Sequence, residues 1–179
     1  MKLDLAERDF GLLTAHLNEL IAIDPGNAWG NLALGTMETE RGEYGLAEAA
    51  LLKSIGRAPN SISLNNLAWV YHKLGRDDLA INYVLRSLDM KAEAPEAWDT
   101  LGVILVTLNR NDKAEQAFRQ SLRLDSANPE PWTHLRELLL NQGRTRDVQL
   151  LTNTILASSA AMETNRFDLL RELREENGE

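Results

Sequence analysis

The chain has 179 residues, no cysteine and a formal net charge of −8. Binding to nucleic acid or to an anionic membrane rests on Lys and Arg meeting phosphates, so the acidic balance and the lack of a basic stripe disfavour both partners. The missing cysteines remove a disulfide framework and thiolate chemistry. No apolar run reaches the roughly 18 residues of a membrane span, and residues 1–10 are acidic where a secretory signal needs an apolar stretch. Cytoplasm and periplasm both fit.

Leu, Ala, Glu and Arg dominate and no stretch alternates apolar with polar, which predicts an all-α chain. Residues 8–25 (RDFGLLTAHLNELIAIDP) read as the second helix of a repeat whose first helix is mostly missing. Leu13, Leu17 and Leu20 form its apolar stripe, and Leu3 and Leu5 extend it. Such a patch predicts a homodimer through residues 3–20, cover from upstream sequence, or residues 1–8 folded back as a surrogate helix. Four helical hairpins follow. First helices are expected at 28–41, 61–74, 95–108 and 129–142, and second helices at 44–57, 77–90, 111–124 and 145–160. Asp77, Asn111 and Thr145 are candidate N-caps, and Pro95, Pro129 and Pro131 sit at helix starts, where a missing N–H costs little. A polar-ended amphipathic helix at 163–175, with Phe167, Leu170 and Leu173 on one side, closes the array as a cap. The total is about ten helices.

Three markers recur in phase. The turn residues Gly42, Gly75, Asn109 and Gly143 are 33, 34 and 34 apart by subtraction. Ala47, Ala80, Ala114 and Val148 keep step, as do the small residues Gly35, Ala68 and Gly102, with Arg136 the exception. The third repeat reads Trp98-x2-Leu101-Gly102-x2-Leu105 and then Ala114-x3-Phe118. The second reads Leu64-x2-Leu67-Ala68-x2-Tyr71 and then Ala80-x3-Val84. Trp132, Leu135, Arg136 and Leu139 head the fourth, while the first carries Asn31 and Glu38 where the others have large apolar residues. On this pattern the chain resembles the tetratricopeptide repeat family. The stretch LNNLAWVYHKLGR followed by PEAWDTLGVIL is similar to repeats of bacterial envelope and exopolysaccharide-associated members. The resemblance implies an all-α solenoid of antiparallel helix pairs. Its repeats fall at 28–60, 61–94, 95–128 and 129–162, after a partial leading repeat at 1–27, in a single domain.

Sequence alone offers little chemistry. His16, His72 and His134 lie in different repeats, and His134 with Glu137 is a weak candidate for a metal pair. No nucleophile elbow, zinc-protease helix or phosphate loop occurs. No catalytic residue, metal or cofactor is expected. The resemblance instead implies a groove lined by the first helices, for a protein or peptide ligand. It would take Trp29, Leu32 and Thr36 from the first repeat, and Ile62, Asn65, Asn66, Trp69 and His72 from the second. The third would add Glu96, Asp99, Thr100, Val103 and Val106, and the fourth Glu130, Thr133, His134 and Glu137. Trp29 and Trp69 stand where the core needs no large aromatic, which suits interface anchors. Asn66 matches the asparagine with which family members hold a peptide backbone. The basic residues with which some members clamp a terminal carboxylate are replaced by Leu32, Thr36, Glu96 and Thr100. A ligand with apolar anchors and some Lys or Arg is expected, with a structural segment of a longer array, or a self-associating module, as the alternative reading.

Overall fold

The computed structural model describes the backbone of residues 2–158 and the side chains of residues 11–153. That span holds nine α-helices and no strand. They are α1 (Lys2–Ile23), α2 (Ala28–Glu40), α3 (Tyr44–Arg57), α4 (Ser61–Lys73), α5 (Asp77–Met90), α6 (Pro95–Thr107), α7 (Asn111–Leu124), α8 (Glu130–Asn141) and α9 (Thr145–Ser158). From the start of α2 to the start of α9 every end falls within two residues of its expected place. The cap helix expected at 163–175 lies outside the described residues. At the other end α1 is one continuous helix from Lys2, so residues 2–8 do not fold back. Nothing in LDLAERDF breaks a helix, and Gly11 alone costs only about 1 kcal/mol relative to Ala.

Each first helix ends the same way. Gly42, Gly75, Asn109 and Gly143 have φ of 77°, 70°, 57° and 69°, the left-handed conformation that closes a helix. The next N–H reaches back over the turn, as Arg76 to the Tyr71 carbonyl at 2.8 Å and Arg144 to that of Leu139 at 2.9 Å. A stop of this kind leaves a short connection into the second helix, so the pair becomes an antiparallel hairpin. Two of the expected N-caps shift by one residue. Arg76 and Arg110 are the caps of α5 and α7 and make no side-chain capping hydrogen bond, while Asp77 and Asn111 are already helical. The side-chain caps are Asn27, accepting from Gly30 N at 2.8 Å, and Asn60, accepting from Ser63 N at 2.9 Å.

The chain divides into two compact units, Met1–Ala92 and Glu93–Glu179, close to the boundary between the second and third repeats. In the first, α2 pairs with α3 and α4 with α5, while α1 packs on α2 and α3 on α4. In the second, α6 pairs with α7, and α8 packs against α6, α7 and α9.

The hairpins close through a size match. A Cβ on Gly35 would lie 2.5 Å from Leu51 Cγ and 3.3 Å from the Ala47 carbonyl oxygen. A Cβ on Gly102 would fall on the Phe118 ring, 2.8 Å from Cζ and nearer still to Cδ1 and Cε1. At Gly102, then, the close neighbour is a ring. Where the small residue is Ala68, the partner position holds the shorter Val84, and both are fully buried. A further mark of the repeat is buried serine. Ser87 Oγ donates to the Ser61 carbonyl and Ser121 Oγ to that of Pro95, each at 2.8 Å, and Ser54 Oγ meets Ser63 Oγ at 3.0 Å. The first repeat's irregular residues are also satisfied. Asn31 donates to the carbonyls of Pro25 and Asn27, and buried Glu38 pairs with Arg41 at 3.2 Å.

Gly102→Leu is expected to lower stability by about 1–3 kcal/mol, the range for overpacked cores. Gly102→Ala combined with Phe118→Val, which copies the Ala68 and Val84 pair, should cost less than the two single changes added together. The coupling is expected at about 0.5–3 kcal/mol, read from denaturant melts of all four proteins.

Candidate functional site

In the first unit, residues 62, 65, 66, 69 and 73 of α4 recur at helical spacing and so share one face. This face adjoins that of α2, because Asn66 Nδ2 donates to Thr36 Oγ1 at 2.9 Å. Thr36 in turn donates to the Leu32 carbonyl at 3.0 Å. Asn66, expected to hold a peptide, therefore ties two first helices together, and its amide donor is engaged. Leu32, also expected on the groove, is only 7% exposed and belongs to the core. The α2 helix is turned so that Asn31 and Leu32 face inward, which leaves Leu34 at the surface of the core.

Two side chains stand out from this face. Trp29 is 70% exposed and Ile62 is 55% exposed. Trp69 is half-buried, with Lys73 Nζ 4.3 Å from its ring centre and the His72 ring 5.5 Å away. A cation over an indole at an exposed site is worth roughly 0.5–1 kcal/mol, little enough for a ligand to displace the lysine. His72 is held at 2.8 Å by Asp77, at the start of the next helix. Asn65 keeps Oδ1 out of water with no hydrogen-bond donor, a condition that costs about 1–3 kcal/mol.

In the second unit the expected residues separate. Glu96, Glu130 and Glu137 are exposed, and Val103 and Thr133 are half-buried. Asp99 is 7% exposed and its carboxylate accepts from His134 Nδ1 at 2.9 Å, linking α6 to α8. His134 also lies against the Phe118 ring, 5.5 Å between centres. Burial alone would depress the His134 pKa, but the Asp99 hydrogen bond and charge, with Glu130 and Glu137 behind, raise it above its ordinary value of 6.5. Asp99 is thus a structural partner and not a free ligand group. His134 and Glu137 hold no metal triad together: among the described residues no group of three candidate ligands occurs. Trp132 is buried as a core residue, its Nε1 donating to the Ser126 carbonyl at 3.3 Å, and Trp98 is half-buried.

A histidine whose pKa is higher when folded than unfolded adds stability fully present below its unfolded value and lost as pH rises through the folded one. The urea midpoint of the native chain should therefore fall between about pH 6 and pH 9 more than that of His134→Gln, which has no charge to lose. Equal slopes for the two proteins would mean that the contact between His134 and Asp99 carries no proton-linked stability.

Comparison with known proteins adds the following. Models of the tetratricopeptide repeat match residues 32–97 and 95–128. No protein of curated function matches in sequence. The fold is similar to that of the crystal structure of MamA, at TM-score 0.69 and 16% identity over 97% of this chain and 93% of that one. It is also similar to Pseudomonas aeruginosa PilF, at TM-score 0.72 and 21% identity over 96% of this chain and 78% of that one. The first tetratricopeptide domain of Spaghetti (RPAP3), solved with the HSP90 peptide SRMEEVD, matches at TM-score 0.60 and 20% identity, over 65% of this chain and 93% of that one. Sequence matches spanning three hairpins and the shared architecture lead to one conclusion: the chain belongs to the tetratricopeptide repeat family, an all-α solenoid of antiparallel helix pairs.

Proposed function

We propose that this chain is a non-catalytic scaffold that binds a peptide segment of a partner protein on the α2/α4 face of its first unit. The observation that carries this is Trp29, a large aromatic with 70% of its surface in water and Ile62 exposed on the neighbouring first helix. Ordinary core packing gives no reason for an indole there, whereas aromatic side chains that bury much area for little lost freedom are common anchors of interfaces. The similar domain of Spaghetti (RPAP3) was solved with a peptide, which supports this use of the fold. The ligand chemistry differs. With Leu32 buried and one Asn66 N–H given to Thr36, this face offers apolar anchorage and no basic cage for a carboxylate. In the second unit, Glu96, Glu130 and Glu137 give the first-helix face an acidic character that suits basic ligand residues. A place in a bacterial multiprotein assembly fits this reading.

Peptides selected from a random display library on the native chain are the direct test. Trp29→Ala and Trp69→Ala should each weaken the selected peptides by about 2 kcal/mol or more, while circular dichroism and melting stay near native. If selected peptides bind both variants as well as the native chain, the ligand face lies elsewhere.

One observation favours a second reading, self-association through α1. Leu12, Leu13, Leu20 and Ile23 are all exposed on a helix that packs on α2. A two-fold pair of such helices covers one patch with its own copy. Light scattering of the native chain should then show a dimer that Leu12→Glu with Leu13→Glu converts to monomer. A native chain monomeric at tens of micromolar would rule this reading out.

A further inference from the structure

The second-helix side of the second unit contains a cleft of about 460 Å3 that the peptide face does not use. It runs between α7 and α9, with α8 as its floor. Trp132, Leu122, Leu135 and Leu151 give an apolar bottom, and Leu150, 66% exposed, stands at the edge. The volume falls within the range of small-molecule sites, roughly 300–1,000 Å3, and such sites pair an apolar lining with a few placed polar groups.

The polar groups here form a definite charge pattern. Arg144, at the turn into α9, reaches across to α7, where Nη1 donates to Glu115 Oε2 at 2.5 Å, and its Nε donates to Asp147 Oδ2 at 2.6 Å. Arg119 closes on the same Glu115 at 2.8 Å. The Arg144 hydrogen bond, and after it that of Arg119, hold the Glu115 carboxyl below its usual range against the opposing effect of burial. This network fixes the start of α9 against α7 and so sets the width of the cleft. Its two carboxylates, Glu115 and Asp147, are matched by Arg119 and Arg144. The remaining guanidinium at the rim, Arg123, donates to the neutral Gln120 Oε1 at 2.7 Å and has no carboxylate within 4.0 Å among the described residues. Among the described residues, one guanidinium at the rim of the apolar cleft is therefore without a carboxylate partner.

We propose that this cleft binds a small organic acid with an apolar body and a single carboxylate, of medium-chain fatty acid size. The chain lies over Trp132 and between Leu122 and Leu151, and the carboxylate meets Arg123. A charge-assisted hydrogen bond in such a place is among the stronger polar contacts. The apolar body supplies the rest through area removed from water.

Decanoate is the probe, titrated into the 179-residue chain with tryptophan fluorescence as readout, and Trp132→Phe assigns the signal. The chain has four tryptophans, and only the part of the response that Trp132→Phe removes counts. A saturable response is expected, roughly tenfold or more weaker for decanol, for decyltrimethylammonium and for Arg123→Glu. Arg123→Gln should weaken it as well, and Arg57→Glu, an exposed charge in the first unit, should not. Arg123 is exposed, so far-ultraviolet circular dichroism should be native in each variant. The proposal is overturned if the three amphiphiles respond alike, if decanoate shows no saturation by about 1 mM, or if both Arg123 variants bind as the native chain does.

Discussion

Everything in this fold depends on how closely the two helices of a hairpin can approach. The second helix offers one large buried side chain to the first, and the first must leave room for it. Where the second helix presents Phe118, the first has Gly102, and where it presents Leu51, the first has Gly35. Where it presents Val84, the facing residue can grow to Ala68. The volume shared by the pair stays nearly constant while its division changes, as close packing demands of a core without voids. The buried serines act beside this contact. Each satisfies a carbonyl at the start of a first helix, or its own neighbour serine, so the helix ends are joined without an unpaired polar atom.

This division of labour decides which residues of a first helix meet water. A first helix spends one stripe on its own partner and another on the preceding second helix, and only the remaining stripe meets water. A large apolar residue on that stripe adds nothing to the hairpin. Trp29 and Ile62 occupy it, so their chemistry is available to a ligand at no cost to the fold. Trp98 and Trp132 hold repeat positions where the hairpin itself needs bulk. The same residue type thus has opposite meaning at two registers, and the register is what the turn spacing reveals.

The hairpins were legible because each rests on local signals that recur: a left-handed turn every 33 or 34 residues, an alanine in step, and a small residue at the crossing. The exposed faces were legible only in part: helical spacing put Trp29 and Ile62 at the surface, where they are, but also Leu32 and Asp99, which are buried. What could not be read was how polar side chains choose partners across helices. Asn66 looks the same in sequence whether its amide points to a ligand or to Thr36. Asp99 looks like an open acid until His134, 35 positions later, is brought against it. The rotation of α2 that buries Leu32 was hidden as well, because it follows from α1 packing on that helix and from the Asn31 side chain bonding the turn before it. The cleft beside Trp132 was out of reach for a related reason. Its lining comes from three helices, and its charge pattern appears only when Arg144 is seen to reach Glu115.

Asn66 and His134 have one more thing in common. Each occupies the same place in its repeat, and each bonds a side chain on the first helix of the repeat before, Thr36 in one unit and Asp99 in the other. Each unit therefore has a polar staple between consecutive first helices, placed beside the surface that would meet a ligand. The staple of the first unit is a neutral amide and hydroxyl, indifferent to pH. That of the second can carry charge, because Asp99 stabilises the protonated form of His134. In the first unit, Trp29 and Ile62 leave apolar area exposed on the first helices that the Asn66 bond joins.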